Sequence, residues 1–417
     1  MEVKSYCPTL PSGNLVGDGI VDSAELELSS IHCGISIAIL LEHKIGGVQD
    51  TRRWGGRREG GIDAPPWVFF QSAVLYTTPT GRRRVRVSTM GLVTTKVPAD
   101  IFRSADLGTV AAIMTRQAIS DLEDPSVGFH NARSNLFDKT VSILANYRMH
   151  TTAKSSPNQQ LILPETLQLL PLFCLSLRKS PLLRYSLTGA PFKRPFPNAD
   201  ERAYHIFYGR MVPPNMSLQC VHSNLFEVSD MRTLDGEWMK PPALESNKNA
   251  GEKAIAASMR PTCQLPKSVN PSIACLDEKG IYLLDDRFAF YLFIGKDVPE
   301  ETWRELLSVS LPSGSHRIGG EWVSNVPMGA LALAPSEPGR KLRNILRQLR
   351  MLNLSNATIA MNARHTYAPI ILVFVGRGSV FEEEMNSLLV DDTDGHEKSY
   401  VDFLVNIHRA IRQKQDQ

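Results

Sequence analysis

The spacing of apolar residues changes its period twice along the chain, and this change constrains the fold more than any other feature of the sequence. Residues 24–97 contain apolar runs and alternating segments rich in β-branched and aromatic residues, which are typical of β-strands. From about residue 98 the apolar residues recur three and four positions apart, as on one face of a helix. A mixed pattern follows from residue 213. A chain of 417 residues can hold several cores, so the sequence predicts a multidomain α+β protein.

The helical segment contains several candidate helices. Asp106 predicts an N-cap, because a carboxylate there can accept a hydrogen bond from a free backbone N–H of the first turn. It precedes apolar residues at helical spacing: Leu107, Val110, Ala111, Met114 and Ala118. A second helix is predicted from Phe137, Val141, Leu144 and Ala145. Segment 161–177, which Pro164 and Pro171 interrupt, is predicted as a kinked or paired buried helix, and segment 199–211 is a further candidate.

The mixed segment begins with a predicted hairpin of residues 280–284 and 288–294, joined by a turn. Asp297 lies three residues before Glu300, which predicts a capping box at the start of the next helix. An amphipathic helix at 342–352 and a buried strand at 370–375 follow. A tail helix is predicted after Ser399 from apolar residues that share one face: Tyr400, Leu404, Ile407 and Ile411.

Charge and cysteine usage exclude several classes of protein. The 46 basic and 43 acidic residues give a net charge of +3, which argues against nucleic-acid binding driven by overall charge. The six cysteines lie far apart and form no C-x-x-C pair, so we expect scattered thiols and no metal site. The first residues lack the apolar core of a signal peptide, and no apolar run reaches the length of a membrane helix.

No catalytic or cofactor-binding residue can be assigned from the sequence. The ten histidines are dispersed, and neither an H-E-x-x-H nor a G-x-S-x-G motif occurs. The acidic loop DDTDGHE at 391–397 lacks the spaced carboxylates and the final glutamate of a calcium loop, so it is interpreted as solvated. VGRGS at 375–379 is interpreted as a turn. The basic residues of the helix near 340–350 are interpreted as its solvated outer face, with contact to a membrane or an acidic partner as the alternative.

Six blocks of sequence, in this order, resemble the cargo-adaptor subunit of the COPII inner coat, the Sec twenty-four family. They are RRRVRVSTMGL at 82–92, IFRSADL at 101–107, LILPETLQLLPLFCLSLRKSPLLR at 161–184, GIYLLDDRFAFYLFIGK at 280–296, LRNILRQLR at 342–350 and SYVDFLVNIHRAI at 399–411. The likeness covers roughly residues 24–417 and is weakest at 46–66 and 227–271.

The resemblance implies a partial β-sandwich, an all-helical domain and a gelsolin-like α/β domain, with a C-terminal helix that returns to the helical domain. We expect the boundaries to follow the pattern changes. They are 1–23 for an N-terminal segment, 24–97 for the β-sandwich part with a mobile loop at 46–66, 98–212 plus 397–417 for the helical domain, and 213–396 for the gelsolin-like domain with a long loop at 227–271.

The resemblance also implies a function. Members of the family are non-catalytic coat components that select transmembrane cargo for transport from the endoplasmic reticulum to the Golgi. The implied partners are the paralogous inner-coat subunit and the cytosolic tails of cargo with acidic signals, with a small GTPase and the outer coat as indirect partners. The implied location is the cytoplasm, peripheral to the membrane at endoplasmic reticulum exit sites. No nucleic acid is expected.

The family's zinc finger and trunk domain lie upstream of the segment that this sequence resembles. We therefore expect no cofactor in this chain, and we expect a fragment, a truncated gene model or a shortened relative. The resemblance implies that the trunk makes the main contact with the paralogous subunit and several cargo pockets, so binding of that subunit and of cargo by this chain without the trunk stays open at this stage.

The run Arg82–Val87 is the clearest candidate for a binding site. On a strand, Arg84 and Arg86 share one face about 7 Å apart, while Val85 and Val87 share the other face and are predicted to belong to the core. Two guanidinium groups at this spacing can each bind a carboxylate through paired hydrogen bonds. The resemblance implies that Arg84 and Arg86 help to bind acidic export signals. The alternative is that they only protect a solvated strand face from aggregation.

Two other functions remain open at this stage. The hairpin and helix of residues 280–307 also fit a gelsolin-like, actin-associated protein or a general scaffold protein that does not select cargo. Gelsolin-type proteins usually repeat this domain and carry acidic calcium ligands, and neither feature is found in this sequence. A hydrolase whose catalytic residues are far apart in sequence would show no local motif.

Overall fold

The computed structural model describes residues 2–7, 36–42, 67–95, 97–151, 161–184, 199–218, 220–239, 261–286, 289–307, 334–356, 370–374, 385–386, 388–393 and 397–415. The helices are α1 (Pro98–Ser104), α2 (Leu107–Glu123), α3 (Gly128–His150), α4 (Leu170–Lys179), α5 (Ala199–Met211), α6 (Glu300–Leu306), α7 (Glu337–Asn356) and α8 (Tyr400–Gln415). The strands are β1 (Glu2–Cys7), β2 (Ala38–Glu42), β3 (Trp67–Thr77), β4 (Arg83–Val93), β5 (Asn224–Glu227), β6 (Trp238–Met239), β7 (Thr262–Cys263), β8 (Ser268–Val269), β9 (Ile281–Asp285), β10 (Phe290–Ile294) and β11 (Ile370–Phe374).

Helices α1–α5 and α8 form a helical body. The predicted N-cap is confirmed: the Asp106 carboxylate accepts a hydrogen bond from the Thr109 backbone N–H at 2.7 Å. Pro171 does not kink a helix but stands in the first turn of α4, where its missing N–H costs no intrahelical bond. The core of this body is continuous and includes Ala111, Leu136, Leu144, Leu170, Phe173 and Leu177.

Helix α8 returns to this body, as predicted, and packs against α3 and α4. Its N-terminus is capped by the Ser399 hydroxyl, which accepts the Asp402 N–H at 3.2 Å. The buried face is Phe403, Ile407 and Ile411, whereas Tyr400 and Leu404 of the predicted face are half-buried. The predicted helix is therefore confirmed, but its buried face is centred on Phe403, Ile407 and Ile411, and Phe403 was not in the predicted set.

The second body is a five-stranded sheet in the order β11-β10-β9-β5-β8. The predicted hairpin is antiparallel β9–β10, with Leu283 opposite Leu292, and β11 adds parallel to β10. Helices α6 and α7 cover one face through Trp303, Leu306, Leu342 and Ile345. The other face carries Tyr282, Leu284, Tyr291 and Phe293, against which Met385 and Leu389 pack. The predicted multidomain α+β fold class is confirmed by the helical body and this sheet body with its covering helices.

Two local predictions for this body were wrong. Asp297 does not cap α6, because the N-cap position belongs to Pro299, and the Asp297 backbone N–H instead bonds to the Glu278 carbonyl at 2.9 Å. Segment 227–271 is more than a loop: β6 pairs with β7, and β8 extends the sheet by pairing Ser268 with Phe226. Residues 240–260 within that segment lie outside the described residues.

The acidic loop joins the two bodies, so its interpretation as solvated was wrong for the described part. Glu397 is buried and forms ion pairs with Arg133 of α3 and with Arg178 of α4, at 2.7 Å from Arg178 Nε. Asp392 accepts hydrogen bonds from the Ser272 hydroxyl at 2.8 Å and from the Ile273 N–H at 2.6 Å. Residues 394–396 of this loop lie outside the described residues.

The N-terminal strands form two separate two-stranded sheets, β1–β2 and β3–β4, both antiparallel. Strand β1 gives structure to part of the segment 1–23, which the sequence left undetermined. The predicted mobile loop at 46–66 lies outside the described residues.

Candidate functional site

Strand β4 carries the predicted arginine pair on a two-stranded ribbon with β3. The turn between the strands is closed by backbone hydrogen bonds from Thr78 N–H to Arg82 O at 2.9 Å and from Gly81 N–H to Thr78 O at 2.8 Å. Gly81 has φ of +81°, a left-handed conformation that glycine adopts without the strain of a Cβ. This turn fixes the register from Thr77 opposite Arg83 along the whole ribbon.

The register places Arg84 opposite Tyr76 and Arg86 opposite Val74, so all four side chains share one face of the ribbon. Arg84 and Arg86 are exposed, while Tyr76 and Val74 are half-buried. Among the described residues, no acidic side chain forms an ion pair with either arginine. The face thus offers two solvated guanidinium groups beside apolar surface, on a backbone held by ladder hydrogen bonds.

The prediction for the other face of β4 was wrong. Val85 and Val87 do not enter a core: their exposed fractions are 63% and 56%. They lie opposite Leu75 and Ala73 of β3, and the described strands supply no second sheet over them. The alternation of side chains along a strand correctly predicts that the arginines and the valines lie on opposite faces. It does not predict which face is buried, because burial depends on segments that are distant in sequence.

The exposed valines share their face of the ribbon with an aromatic pair that sequence reasoning missed, and the hydrogen-bonded side chains of Gln71 and Thr89 lie between the two groups. At the far end of this face, the rings of Trp67 and Phe69 stack with centroids 6.4 Å apart. A Cβ at Gly91 would approach the Phe69 ring to 3.0 Å and the Trp67 ring to 3.3 Å, so the glycine makes room for both rings. A ribbon of two strands with such a face is of marginal stability alone and gains from a covering layer.

The basic helix α7 is less uniform than predicted. Arg340, Arg343 and Arg347 are exposed, but Lys341 is buried and donates a hydrogen bond to the Arg232 carbonyl at 3.1 Å. Arg340 pairs with Glu237, with 3.0 Å between Nη1 and Oε2. This pairing holds the pKa of the Glu237 carboxyl below its usual value. Part of the predicted solvated face therefore binds α7 to the segment that precedes β6.

Other classes of site receive no support from the described part of the chain. No cluster of three or more histidine, cysteine or acidic side chains there could hold a metal ion. None of the helices in that part combines the length and the apolar character needed to cross a membrane. Burial raises the pKa of the Cys174 thiol, and that of Cys263, to about 11, so both thiols are protonated at neutral pH. The turn predicted at 375–379 lies outside the described residues.

Comparison with known protein families finds two matches. The family model for the Sec23/Sec24 beta-sandwich domain matches residues 7–95, and that for the Sec23/Sec24 helical domain matches residues 106–219. The first match contains the ribbon with Arg84 and Arg86, and the second contains α2–α5.

Among curated proteins, the chain is similar to proteins named as protein transport proteins. It is 26% identical to SEC24 B of Arabidopsis thaliana over 94% of this chain and 29% of that protein. It is 27% identical to SEC24 A of the same plant over 83% of this chain and 28% of that protein, and 29% identical to sec24 of Schizosaccharomyces pombe over 56% and 22%. The alignments thus span less than a third of the length of these relatives.

Among solved structures, the chain is similar to the human COPII-coat protein Sec24c. The TM-score is 0.60 with 24% sequence identity, and the match covers 83% of this chain and 37% of the human chain. At this sequence identity the match is evidence for the fold alone.

Proposed function

We propose that the chain is a Sec24-type member of the Sec23/Sec24 family and a non-catalytic component of the COPII coat, on the support of the two matching family models and of its Sec24 relatives. In this role it selects transmembrane cargo for transport from the endoplasmic reticulum to the Golgi. The names of its relatives as transport proteins support this proposal.

The observation that carries the proposal is the exposed arginine pair on β4. Arg84 and Arg86 project from the same face, and their backbone is fixed by the register with β3. A cytosolic tail with two acidic residues can therefore present one carboxylate to each guanidinium. Val74 and Tyr76 beside them can pack against the aliphatic part of that tail.

The affinity of a single contact of this kind is expected to be low. A solvent-exposed ion pair contributes about 0.2–1 kcal/mol, because water and salt screen it. A coat that presents many copies of the adaptor raises the effective concentration of each site and retains the cargo. We therefore propose a peripheral location at endoplasmic reticulum exit sites, with the paralogous inner-coat subunit as partner and the small GTPase and outer coat as indirect partners.

The test is a titration of a peptide with two acidic residues into the full chain, compared with the double variant Arg84→Glu, Arg86→Glu. We expect at least about tenfold weaker binding, because attraction is replaced by repulsion at both positions. The matched control is Arg83→Glu with Arg103→Glu, which changes the net charge equally at two other exposed arginines. If the wild type and the Arg84→Glu, Arg86→Glu variant bind the peptide equally, Arg84 and Arg86 are not its binding site. If both double variants lose affinity equally, the peptide responds to the net charge of the chain and not to a specific arginine pair.

A further inference from the structure

Strand β4 lies at an edge of its sheet. Its neighbour on one side is β3, and none of the strands that the structure describes lies on its other side. The backbone N–H and C=O groups on that open side can pair with a further strand, so an edge of this kind is a template for strand addition. All residues of β4 from Arg83 to Met90 are exposed, which leaves the open side accessible beside the arginine pair.

The turn before β4 determines which of its backbone groups face the open side. The Thr78 N–H donates to the Arg82 carbonyl at 2.9 Å, so the Arg82 carbonyl points towards β3. In an antiparallel pair this orientation recurs at every second residue, so Arg84 and Arg86 also direct their backbone polar groups towards β3. Val85, which lies between them, therefore directs its N–H and C=O groups towards the open side.

This alternation places the arginine pair where an added antiparallel strand comes closest to β4. A residue of that strand opposite Val85 exchanges two backbone hydrogen bonds with it. The two neighbours of that residue lie opposite Arg84 and Arg86 in non-hydrogen-bonded pairs, whose Cα atoms are only about 4.5 Å apart. Because the side chains of such a pair point to the same face, both neighbours meet a guanidinium group there.

The charge along this edge selects the kind of strand that can be added. Arg82, Arg83, Arg84 and Arg86 all lie within residues 82–86, and all four are exposed. Like charges on neighbouring strands destabilise their pairing, so a second copy of β4 is repelled at this edge. An acidic strand is attracted, and each of its carboxylates can accept paired hydrogen bonds from one guanidinium group.

We propose that an extended acidic peptide segment binds as an antiparallel β-strand added to the open side of β4. The backbone of its central residue bonds to Val85, and the carboxylates of the two flanking residues bind Arg84 and Arg86. This inference rests on the proposed function of the arginine pair and adds the conformation in which a cargo tail is recognised there. The central side chain lies on the opposite face, beside the exposed Val85 side chain.

The first experiment compares related pentapeptides in NMR titrations of the full chain at low salt. The reference is acetyl-Thr-Asp-Val-Asp-Thr amide. Methylation of its valine nitrogen removes the N–H that donates to Val85 and should weaken binding at least about tenfold. Methylation of the second aspartate nitrogen is the matched control, because that N–H points away from β4, and it should change the affinity by less than about twofold.

A third peptide, acetyl-Thr-Asp-Asp-Val-Thr amide, has the same composition and charge as the reference. In a strand its two carboxylates point to opposite faces, so only one of them reaches the face of Arg84 and Arg86. We expect this peptide to bind at least about fivefold more weakly than the reference.

The second experiment changes the edge of β4 itself. Val85→Pro removes the N–H on the open side without removing a ladder hydrogen bond to β3, and it should weaken binding of the reference peptide at least about fivefold. Thr89→Pro makes the same change on the same side but beyond the bound segment, so it should alter the affinity by less than about twofold. In the wild-type chain, hydrogen exchange of the Val85 amide should slow when the peptide binds, whereas that of the Arg84 amide should change little.

The possible outcomes separate this inference from the proposed function. If methylation of the valine nitrogen leaves the affinity unchanged, or if the Val85 amide gains no protection, the peptide is not an added strand and the inference is wrong. If in that case Arg84→Glu, Arg86→Glu still abolishes binding, the arginine pair recognises carboxylates alone and the proposed function stands. If the reference peptide does not bind at all, both proposals are wrong, and the arginines only protect the edge from pairing.

Discussion

Glu397 is buried between two arginine side chains that lie more than 200 positions earlier in the chain. It receives hydrogen bonds from Arg133 and Arg178, and all three side chains are largely withdrawn from water. Removing one partner of such a group leaves charges without their counter-ion in a medium that solvates them poorly. Position 397 should therefore be sensitive to the loss of charge alone.

The first prediction concerns Glu397→Gln. We expect the free energy of unfolding to fall by about 3–5 kcal/mol, the cost typical of breaking a buried ion pair. The control is Glu300→Gln, which removes an exposed i,i+4 pair with Arg304 and should cost less than about 0.5 kcal/mol. Midpoints of urea unfolding at pH 7 measure both. Equal effects of the two substitutions would contradict the prediction.

The second prediction concerns the neighbouring Asp391. Burial, and next the charge of Asp392, raise the pKa of its carboxyl above 3.8, so the ionised form is disfavoured in the folded state. Its unfavourable contribution is absent below pH 3.8 and develops as the pH rises through the raised pKa. Asp391→Asn should therefore increase stability at pH 7 and change it little below pH 3.8. An unfolding series across this range measures the difference, and a gain of equal size at every pH would oppose it.

Sequence reasoning succeeded where the cause of a structure is local. Asp106 could be identified as a cap because its acceptor and the Thr109 N–H are three residues apart. The role of Glu397 could not be found, because its partners lie on two other helices and nothing near it in sequence indicates them. The exposure of Val85 could not be predicted for the same reason. Alternation defines the two faces of a strand, but tertiary contacts decide which face is buried.

At the scale of elements, helix α8 shows how much stability one apolar face can add. Ile407 is fully buried in the core of the helical body, while Val405, two residues earlier, is exposed. The two side chains are similar in chemistry and differ chiefly in their surroundings. They therefore form a matched pair for measuring the docking of α8.

The third prediction compares Ile407→Ala with Val405→Ala. We expect the first to lower the free energy of unfolding by about 2–5 kcal/mol, through lost apolar burial and a cavity. The second should change it by less than about 0.5 kcal/mol, because its side chain already faces water. Thermal and urea unfolding measure both variants. Similar losses in the two would mean that α8 is not docked through this face.

At the scale of the whole molecule, the helical body and the sheet meet through residues 388–397. Ser223 donates to the Leu388 carbonyl at 2.6 Å, and Lys179 crosses from α4 to the same segment. These contacts link the two bodies. Loosening this joint should therefore affect segments of both bodies.

The fourth prediction is made for hydrogen exchange. In Glu397→Gln, amide exchange should accelerate in residues 388–393 and in α3 and α4, whereas the ribbon β3–β4 should be unchanged. Mass spectrometry of peptic fragments resolves these segments. Faster exchange confined to residues 397–415 would mean that Glu397 holds only the tail helix and does not couple the two bodies.

The return of α8 has a consequence for synthesis on the ribosome. The residues of the five-stranded sheet are translated between α5 and α8. The core of the helical body therefore stays incomplete until α8 has been synthesised. The sheet can close first, since its strands and covering helices lie between residues 224 and 374. A premature stop shortly before Tyr400 would therefore leave the sheet almost whole and damage a core whose first helices were translated some 300 residues earlier.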